Sequence, residues 1–142
     1  MARVTIDITA PVIFKTIVTV RITDINYGGH LGNDKVLSIM HEARMAFLNS
    51  MHYSEMDVEG VGLIMADAAI KFISEAFYNE PLLVEISIEN ISKVSFEMLY
   101  RLRCNQRMVA LGKTGMVFFN YQTRKVSVCP EAFVSKIKLL QV

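Results

Sequence analysis

The sequence predicts an α+β fold in which one long helix packs against an antiparallel sheet of five or six strands. Helical spacing of apolar residues appears in one long stretch, residues 35–51, whereas later segments alternate between apolar and polar residues. The chain has 142 residues, of which 52% are hydrophobic, and this is enough apolar material for the core of one domain. We therefore expect a single domain over residues 1–142.

The N-terminal region predicts a strand that leads into a glycine-rich loop. Residues 14–23 alternate, which is the period of a strand with two different faces. One of these faces carries Phe14, Thr16, Val18, Val20 and Ile22. Residues 24–33 contain a cluster of glycines, and such backbone freedom favours a loop over a regular element.

A single long helix is expected directly after this loop. Apolar residues follow the spacing i, i+4, i+7, i+11 and therefore share one stripe of a helix over residues 35–51. That stripe consists of Val36, Met40, Ala43 and Phe47. Asn33 or Asp34 precedes the stripe, and either side chain is of a type that caps a helix N-terminus.

The C-terminal half predicts an antiparallel meander followed by a short helix. Its strand-like runs are residues 63–77, 82–91, 95–105 and 107–121. Asn105 and Gln106 form a connection short enough for a tight hairpin between the last two runs. Pro130 then opens a segment in which Phe133 and Ile137 recur at helical spacing.

Composition argues against several classes of function. Fifteen Lys and Arg against fourteen Asp and Glu leave a formal charge of +1, too little for a protein that holds a nucleic-acid backbone. Cys104 and Cys129 are too few for a disulfide framework and lack metal-ligand spacing. No apolar run approaches the ~18 residues of a membrane-spanning helix. We therefore expect a cytoplasmic protein without a metal site, a nucleic-acid partner or a membrane association.

Incomplete coverage of the sheet predicts self-association. One long helix cannot cover a five-stranded sheet, so a strand edge or part of a face would be left to solvent. A second copy of the chain can bury that surface, and two-fold pairs are the commonest oligomers. A homodimer is expected on these grounds, and two dimers could pair into a homotetramer.

Polar residues and glycines concentrate in residues 21–34, between the first strand and the long helix. The first N–H groups of a helix are unpaired and carry a partial positive charge, so they can hold a thioester carbonyl or an oxyanion. A nearby side chain could direct a water onto the same carbonyl. This loop is therefore the candidate site for chemistry.

A motif runs from this loop into the long helix through Arg21, Asp24, Gly29, His30, Asn33, Glu42, Ala43 and Arg44. These residues are in register with the pattern Arg-x-x-Asp-x-Asp-x-x-Gly-His-Val-Asn-Asn followed by a helix that ends in Glu-Ala-Arg. The chain thus resembles the hotdog-fold acyl-CoA thioesterases of the 4-hydroxybenzoyl-CoA thioesterase family. Later strands also look like those of that family, so the resemblance covers about residues 14–134.

The resemblance implies a hotdog fold, in which the sheet wraps a long central helix, and hydrolysis of an acyl-CoA or acyl-carrier-protein thioester. It implies an active groove at a dimer interface and no metal or redox cofactor, since CoA is part of the substrate. The family's usual catalytic aspartate falls on Asn26, and its usual Asn falls on Gly32. Because an amide cannot accept a proton from water at neutral pH, hydrolysis would require another base.

His30 is the leading candidate for that base, since a neutral imidazole can take a proton near pH 7. It also matches the histidine of the related plant acyl-carrier thioesterases. Asn26 would position the thioester or the water, and the reserve carboxylates are Asp24, Glu42 and Asp67. The expected substrate contacts are Tyr27, Gly29, Leu31 and Asn33.

Other readings of the same residues remain open. His30 could only hold the loop through hydrogen bonds. A hotdog dimer that had lost efficient turnover with the aspartate would bind acyl-CoA without hydrolysing it. A hotdog dehydratase or hydratase would need a histidine and a carboxylate on the opposing helix, which His30 and Glu42 could supply. The Gly-His loop resembles the thioesterases more closely than the dehydratases.

Overall fold

A computed structural model describes residues 3–142 as an α+β fold with two helices and one antiparallel sheet. Strand β1, Phe14–Thr19, is followed by a short 3-10 turn and by helix α1, Asn33–Ser50. The later strands are β2 (Gly62–Phe72), β3 (Pro81–Glu89), β4 (Ser95–Cys104), β5 (Arg107–Asn120) and β6 (Lys125–Val126). Helix α2, Glu131–Leu140, follows β6.

The sheet has the strand order β1-β3-β4-β5-β2, with β6 paired to β5. Strands β3, β4 and β5 form the predicted meander, but β2 lies next to β5 instead of β3. The prediction of one continuous meander is therefore wrong at β2. The 18 residues of α1 span ~27 Å, which is enough to carry the chain from β1 at one edge of the sheet to β2 at the other.

The core lies between α1, α2 and one face of the sheet. The predicted helical stripe is confirmed, because Val36, Met40, Ala43 and Phe47 are all buried. The predicted alternation in β4 is confirmed by the buried side chains of Phe96, Met98, Tyr100 and Leu102. Phe133 of α2 packs against the rings of Phe96 and Phe118, with centroids 5.0 and 5.4 Å away. The short C-terminal helix after Pro130 is thus confirmed as well.

The two ends of the loop before α1 differ from the prediction. Strand β1 ends at Thr19 because the chain turns at Asp24, whose carboxylate accepts the Arg21 N–H at 2.8 Å. Neither Asn33 nor Asp34 caps α1, so that prediction is wrong. The N-cap position is Gly32, whose own N–H donates to the Asp24 carbonyl oxygen at 2.9 Å and fixes the extended conformation that precedes the helix.

The strand predicted over residues 63–77 ends at Phe72. The N–H groups of Ile73 and Ser74 both donate to the Val109 carbonyl oxygen, at 2.9 and 3.1 Å, so the chain leaves the regular ladder there. Residues 73–80 form an irregular segment instead. The Asn105–Gln106 hairpin is confirmed, and Asn105 adopts the left-handed conformation with φ 55°.

A polar network crosses the core beneath α1. The buried Arg44 donates from Nε to Glu55 Oε2 at 3.2 Å and from Nη1 to Tyr100 Oη at 3.1 Å. Tyr100 Oη also lies 2.9 Å from Thr114 Oγ1, and His41 Nε2 lies 2.6 Å from Glu55 Oε1. Burial raises the pKa of the Tyr100 phenol, so it remains a neutral donor. The network ties α1 to the middle of the sheet.

Candidate active site

A pocket of about 200 Å³ lies between the loop before α1 and the irregular segment after β2. Its apolar lining consists of Leu31, Val36, Phe72, Ile73, Ala76 and Val109. Its polar lining consists of His30, Asn33, Ser74 and Glu75. His30, Leu31 and Asn33, which the sequence predicted as site residues, thus meet in one cavity with an apolar wall and a polar rim.

The loop holds His30 through a tight turn built on Asn26. Asn26 Oδ1 accepts the N–H groups of Gly28 at 2.9 Å and of His30 at 3.4 Å, the bonding typical of an Asx turn. The Asn26 N–H donates in turn to the His30 carbonyl oxygen at 2.9 Å. Gly29 has φ +85°, a conformation that favours glycine. The side-chain oxygen of Asn26 therefore shapes the loop, and Asn26 is not among the residues that line the pocket.

The His30 ring presents Nε2 as its free nitrogen. Nδ1 lies 3.2 Å from the Leu31 carbonyl oxygen, which can only accept, so in the neutral ring Nδ1 carries the proton. Nε2 then holds the lone pair that can take a proton. A Cβ at Gly28 would stand 3.3 Å from Nε2, and the glycine therefore leaves this edge of the ring accessible. Nε2 is therefore the ring atom that is free to accept a proton.

The N-terminus of α1 opens beside this ring. The helix begins after Gly32 without a side-chain cap, and Asn33, its first residue, lines the pocket. The N–H groups of a first helical turn lack intrahelical partners and point outward with a partial positive charge. They can donate to a carbonyl oxygen bound next to Asn33.

Glu75 is the charged pocket residue that sequence reasoning missed. Its Oε1 lies 4.0 Å from His30 Nε2. Residues 63–77 were predicted to form one continuous strand, and Glu75 was not among the candidate carboxylates. The only signal in the sequence is the consecutive polar pair Ser74 and Glu75, which interrupts the alternation.

The three reserve carboxylates do not line the pocket. Asp24 is buried and accepts hydrogen bonds from the Arg21 N–H, at 2.8 Å, and from its guanidinium, at 3.3 Å. These contacts raise the pKa of Arg21 and keep the carboxylate engaged. Glu42 is exposed in a different groove, which Arg21 also lines. Asp67 is exposed on β2 and accepts the Gly115 N–H at 3.1 Å.

Tyr27 and the cysteines also lie outside the pocket. The Tyr27 side chain is fully exposed on the loop. Cys104 and Cys129 are free and buried, and burial raises the pKa of both thiols. Both are therefore protonated at neutral pH, which excludes an activated thiolate nucleophile among residues 3–142.

Residues 3–142 contain neither a metal-binding cluster nor a membrane-spanning helix. No group of three or more His, Cys, Asp or Glu side chains is placed to hold a metal ion. In the same residues, no helix combines the length and the apolar character needed to cross a membrane.

The chain is similar to proteins described as thioesterases. Residues 20–137 match the Thioesterase-like superfamily. A 1,4-dihydroxy-2-naphthoyl-CoA thioesterase from Synechocystis is 25% identical, with a TM-score of 0.79 over 88% of this chain and 95% of that one. A putative thioesterase from Pseudomonas aeruginosa is 16% identical, with a TM-score of 0.82 over 89% of this chain and 99% of its own. A gentisyl-coenzyme A thioesterase is 18% identical, with a TM-score of 0.75 over 91% and 100%. No protein with a curated description matches the chain.

These neighbours have the hotdog fold, and their six-stranded sheet and helix correspond to those described above. The family match covers most of the chain, from the end of β1 into α2, and includes every residue that lines the pocket. The narrower assignment to the 4-hydroxybenzoyl-CoA thioesterase family stays a prediction. The chain belongs to the Thioesterase-like superfamily.

Proposed function

We propose that this protein hydrolyses an acyl thioester of CoA or of an acyl carrier protein and releases the free acid and the thiol. The observation that carries the proposal is the position of His30 Nε2, at the rim of an apolar pocket and beside the uncapped N-terminus of α1. Membership of the superfamily supports thioester hydrolysis in general.

The proposed reaction uses each part of the pocket. The thioester carbonyl binds next to Asn33, where the first N–H groups of α1 stabilise the developing oxyanion. His30 Nε2 takes a proton from a water as the water oxygen bonds to the carbonyl carbon. The C–S bond then breaks, and the proton on Nε2 passes to the departing thiolate. Water and thioester are the only reactants, with CoA as a part of the substrate and no metal or redox cofactor.

We propose an aromatic acyl group for the substrate. The apolar wall of the pocket suits an aromatic ring. The two neighbours with named substrates are described as thioesterases of aromatic acyl-CoA compounds. We propose that Leu31 contacts the acyl group, and that Gly29 and the exposed Tyr27 contact the CoA or carrier arm outside the pocket.

A homodimer formed at the β2 edge is part of the proposal. Within residues 3–142, β2 pairs only with β5, so its outer edge carries unpaired backbone groups. Exposed apolar side chains lie on β2 and on the irregular segment that follows it: Met65, Phe72, Ile73, Phe77 and Tyr78. Phe72 and Ile73 also line the pocket, so a second copy would close its wall.

Analytical ultracentrifugation should give a mass twice the 16.1 kDa of one chain, or four times that mass if two dimers pair.

Thiol release from a panel of acyl-CoAs tests the proposed function. The panel contains short, medium, long and aromatic acyl groups, and the same acyl groups on a carrier protein distinguish the two thiol arms. Turnover well above the uncatalysed rate supports the proposal. Binding of a non-hydrolysable analogue without any thiol release would instead show an acyl-CoA-binding module. Loss or gain of water across a double bond, with the thioester intact, would show a hydratase.

A hydratase that used His30 and Glu42 together would have to take the two residues from different copies of the chain. The two residues line different grooves.

The buried free thiols of Cys104 and Cys129 are compatible with a reducing compartment, and we propose that the protein acts in the cytoplasm.

Replacement of Asn26 by aspartate is expected to raise kcat about tenfold by restoring a carboxylate near His30. Asn26 Oδ1 only accepts hydrogen bonds, from Gly28 and His30, and a carboxylate oxygen can accept the same two bonds. Asn26→Asp should therefore keep the loop, which a matched melting temperature would verify. A folded variant with lower activity would show that the site depends on the amide.

A further inference from the structure

We propose that Glu75 is a positioning residue for His30, whose carboxylate stabilises the imidazolium that forms when His30 takes a proton from the attacking water. This inference rests on the proposed hydrolysis. The motif in residues 21–44 has Asn26 at the position of the usual aspartate. Glu75 lies outside that motif and would bring a carboxylate to the site.

The distance between the two side chains suits this role. Glu75 Oε1 is 4.0 Å from His30 Nε2, beyond a hydrogen bond in the neutral state but close enough for an ion pair with the protonated ring. Nδ1 already faces the Leu31 carbonyl oxygen. The proton gained during catalysis must therefore arrive at Nε2, on the edge that faces Glu75.

Backbone hydrogen bonds fix the two residues relative to each other. The Leu31 N–H donates to the Ala76 carbonyl oxygen at 2.7 Å, so the residue after His30 is bonded to the residue after Glu75. Ser74, the residue before Glu75, is bonded to β5, since its Oγ donates to the Met108 carbonyl oxygen at 2.7 Å. The segment that carries Glu75 is thus anchored both to the catalytic loop and to β5.

The charge of Glu75 is available to His30. Among the described residues, Glu75 contributes the only carboxylate to the pocket lining and forms no ion pair with a lysine or arginine. The Glu75 side chain is 62% exposed and the His30 side chain 32% exposed, so water partly screens the pair. The expected coupling is therefore that of an exposed ion pair, a few-fold in rate.

A double-mutant cycle measures the coupling. Glu75→Gln keeps the shape and removes the charge, and we expect kcat to fall about fivefold with KM within about twofold of wild type. Glu75→Asp should retain more activity than Glu75→Gln. In a His30→Ala background, Glu75→Gln should cause no further loss, because its effect passes through the imidazole. Glu131→Gln, an exposed position on α2 that does not line the pocket, is the matched control.

A second measurement needs no turnover. Diethyl pyrocarbonate acylates neutral histidine, and its attack also places positive charge on the ring. At about pH 8, where imidazole is neutral, Glu75→Gln should slow modification of His30 about threefold. Mass spectrometry of the same samples provides internal controls, because the rates at His41 and His52 should not change.

The outcomes separate this inference from the proposed function. An unchanged rate of His30 modification in Glu75→Gln overturns the role of Glu75, whether or not the wild-type protein hydrolyses thioesters. The role of Glu75 is also overturned if Glu75→Gln lowers kcat by the same factor in the wild-type and His30→Ala backgrounds. The wild-type protein could release no thiol while Glu75→Gln still slows the modification of His30. That result would overturn the proposed hydrolysis but support the interaction between Glu75 and His30.

Discussion

Replacement of His30 by alanine is expected to lower the kcat for thiol release about 100-fold, the size of effect typical of a lost general base. The structure assigns the free nitrogen of this ring to Nε2, because Nδ1 faces the Leu31 carbonyl oxygen. Asn33 and Ser74 in the pocket lining are not bases, and the carboxylate of Glu75, 4.0 Å from Nε2, is proposed to stabilise the protonated ring. Steady-state kinetics with the best acyl-CoA of the panel measure the loss.

The matched control is His52→Asn. His52 is exposed, lies outside the pocket lining and has φ 61°, a left-handed conformation that asparagine tolerates. Its replacement should leave kcat unchanged. If His30→Ala retained wild-type kcat in a folded protein, His30 would serve only to hold the loop and the base would have to be sought elsewhere.

Replacement of Arg44 by alanine is expected to cost about 3 kcal/mol in the free energy of unfolding. The side chain is buried, and its removal leaves a cavity between α1 and β4. It also removes the charge partner of Glu55, which keeps only His41. Urea denaturation followed by circular dichroism measures the loss.

Arg44→Met separates the two causes. Methionine restores most of the volume without the charge, and apolar replacement of a buried charge is commonly better tolerated than truncation. We therefore expect Arg44→Met to be at least ~1 kcal/mol more stable than Arg44→Ala. A loss below ~1 kcal/mol for Arg44→Ala would show that the network contributes little to the fold.

Periodicity predicted the fold where each element has one buried face. The stripe of α1 and the alternating face of β4 were read from local spacing, and both lie in the core. Periodicity did not predict which strand pairs with β2. The pairing of β2 with β5, and not with β3, depends on where α1 ends relative to the sheet. Strand β6 has only two residues and leaves no period to detect.

The candidate site was predictable where it depends on one continuous segment. His30, Leu31 and Asn33 were found because the loop and the helix start are adjacent in sequence. The opposite wall comes from residues 72–76 and from Val109, which only the folded sheet brings close. Glu75 belongs to this wall, and its distance from His30 follows from the bond between Leu31 and Ala76. No spacing along the chain encodes that contact.

The reserve carboxylates illustrate the same limit. Asp24, Glu42 and Asp67 were candidates by residue type alone. In the structure, Asp24 accepts hydrogen bonds from Arg21, Asp67 accepts the Gly115 N–H, and Glu42 lines a separate groove. Within one chain, none of the three lines the pocket that contains His30.

The amounts of thiol and free acid formed per protein chain show most directly whether the His30 pocket turns over an acyl thioester. We expect many turnovers with the best acyl-CoA, equal amounts of thiol and acid, and loss of both products in His30→Ala. Less than one equivalent of thiol per chain across the whole acyl panel, with acyl-CoA still bound, would contradict this expectation.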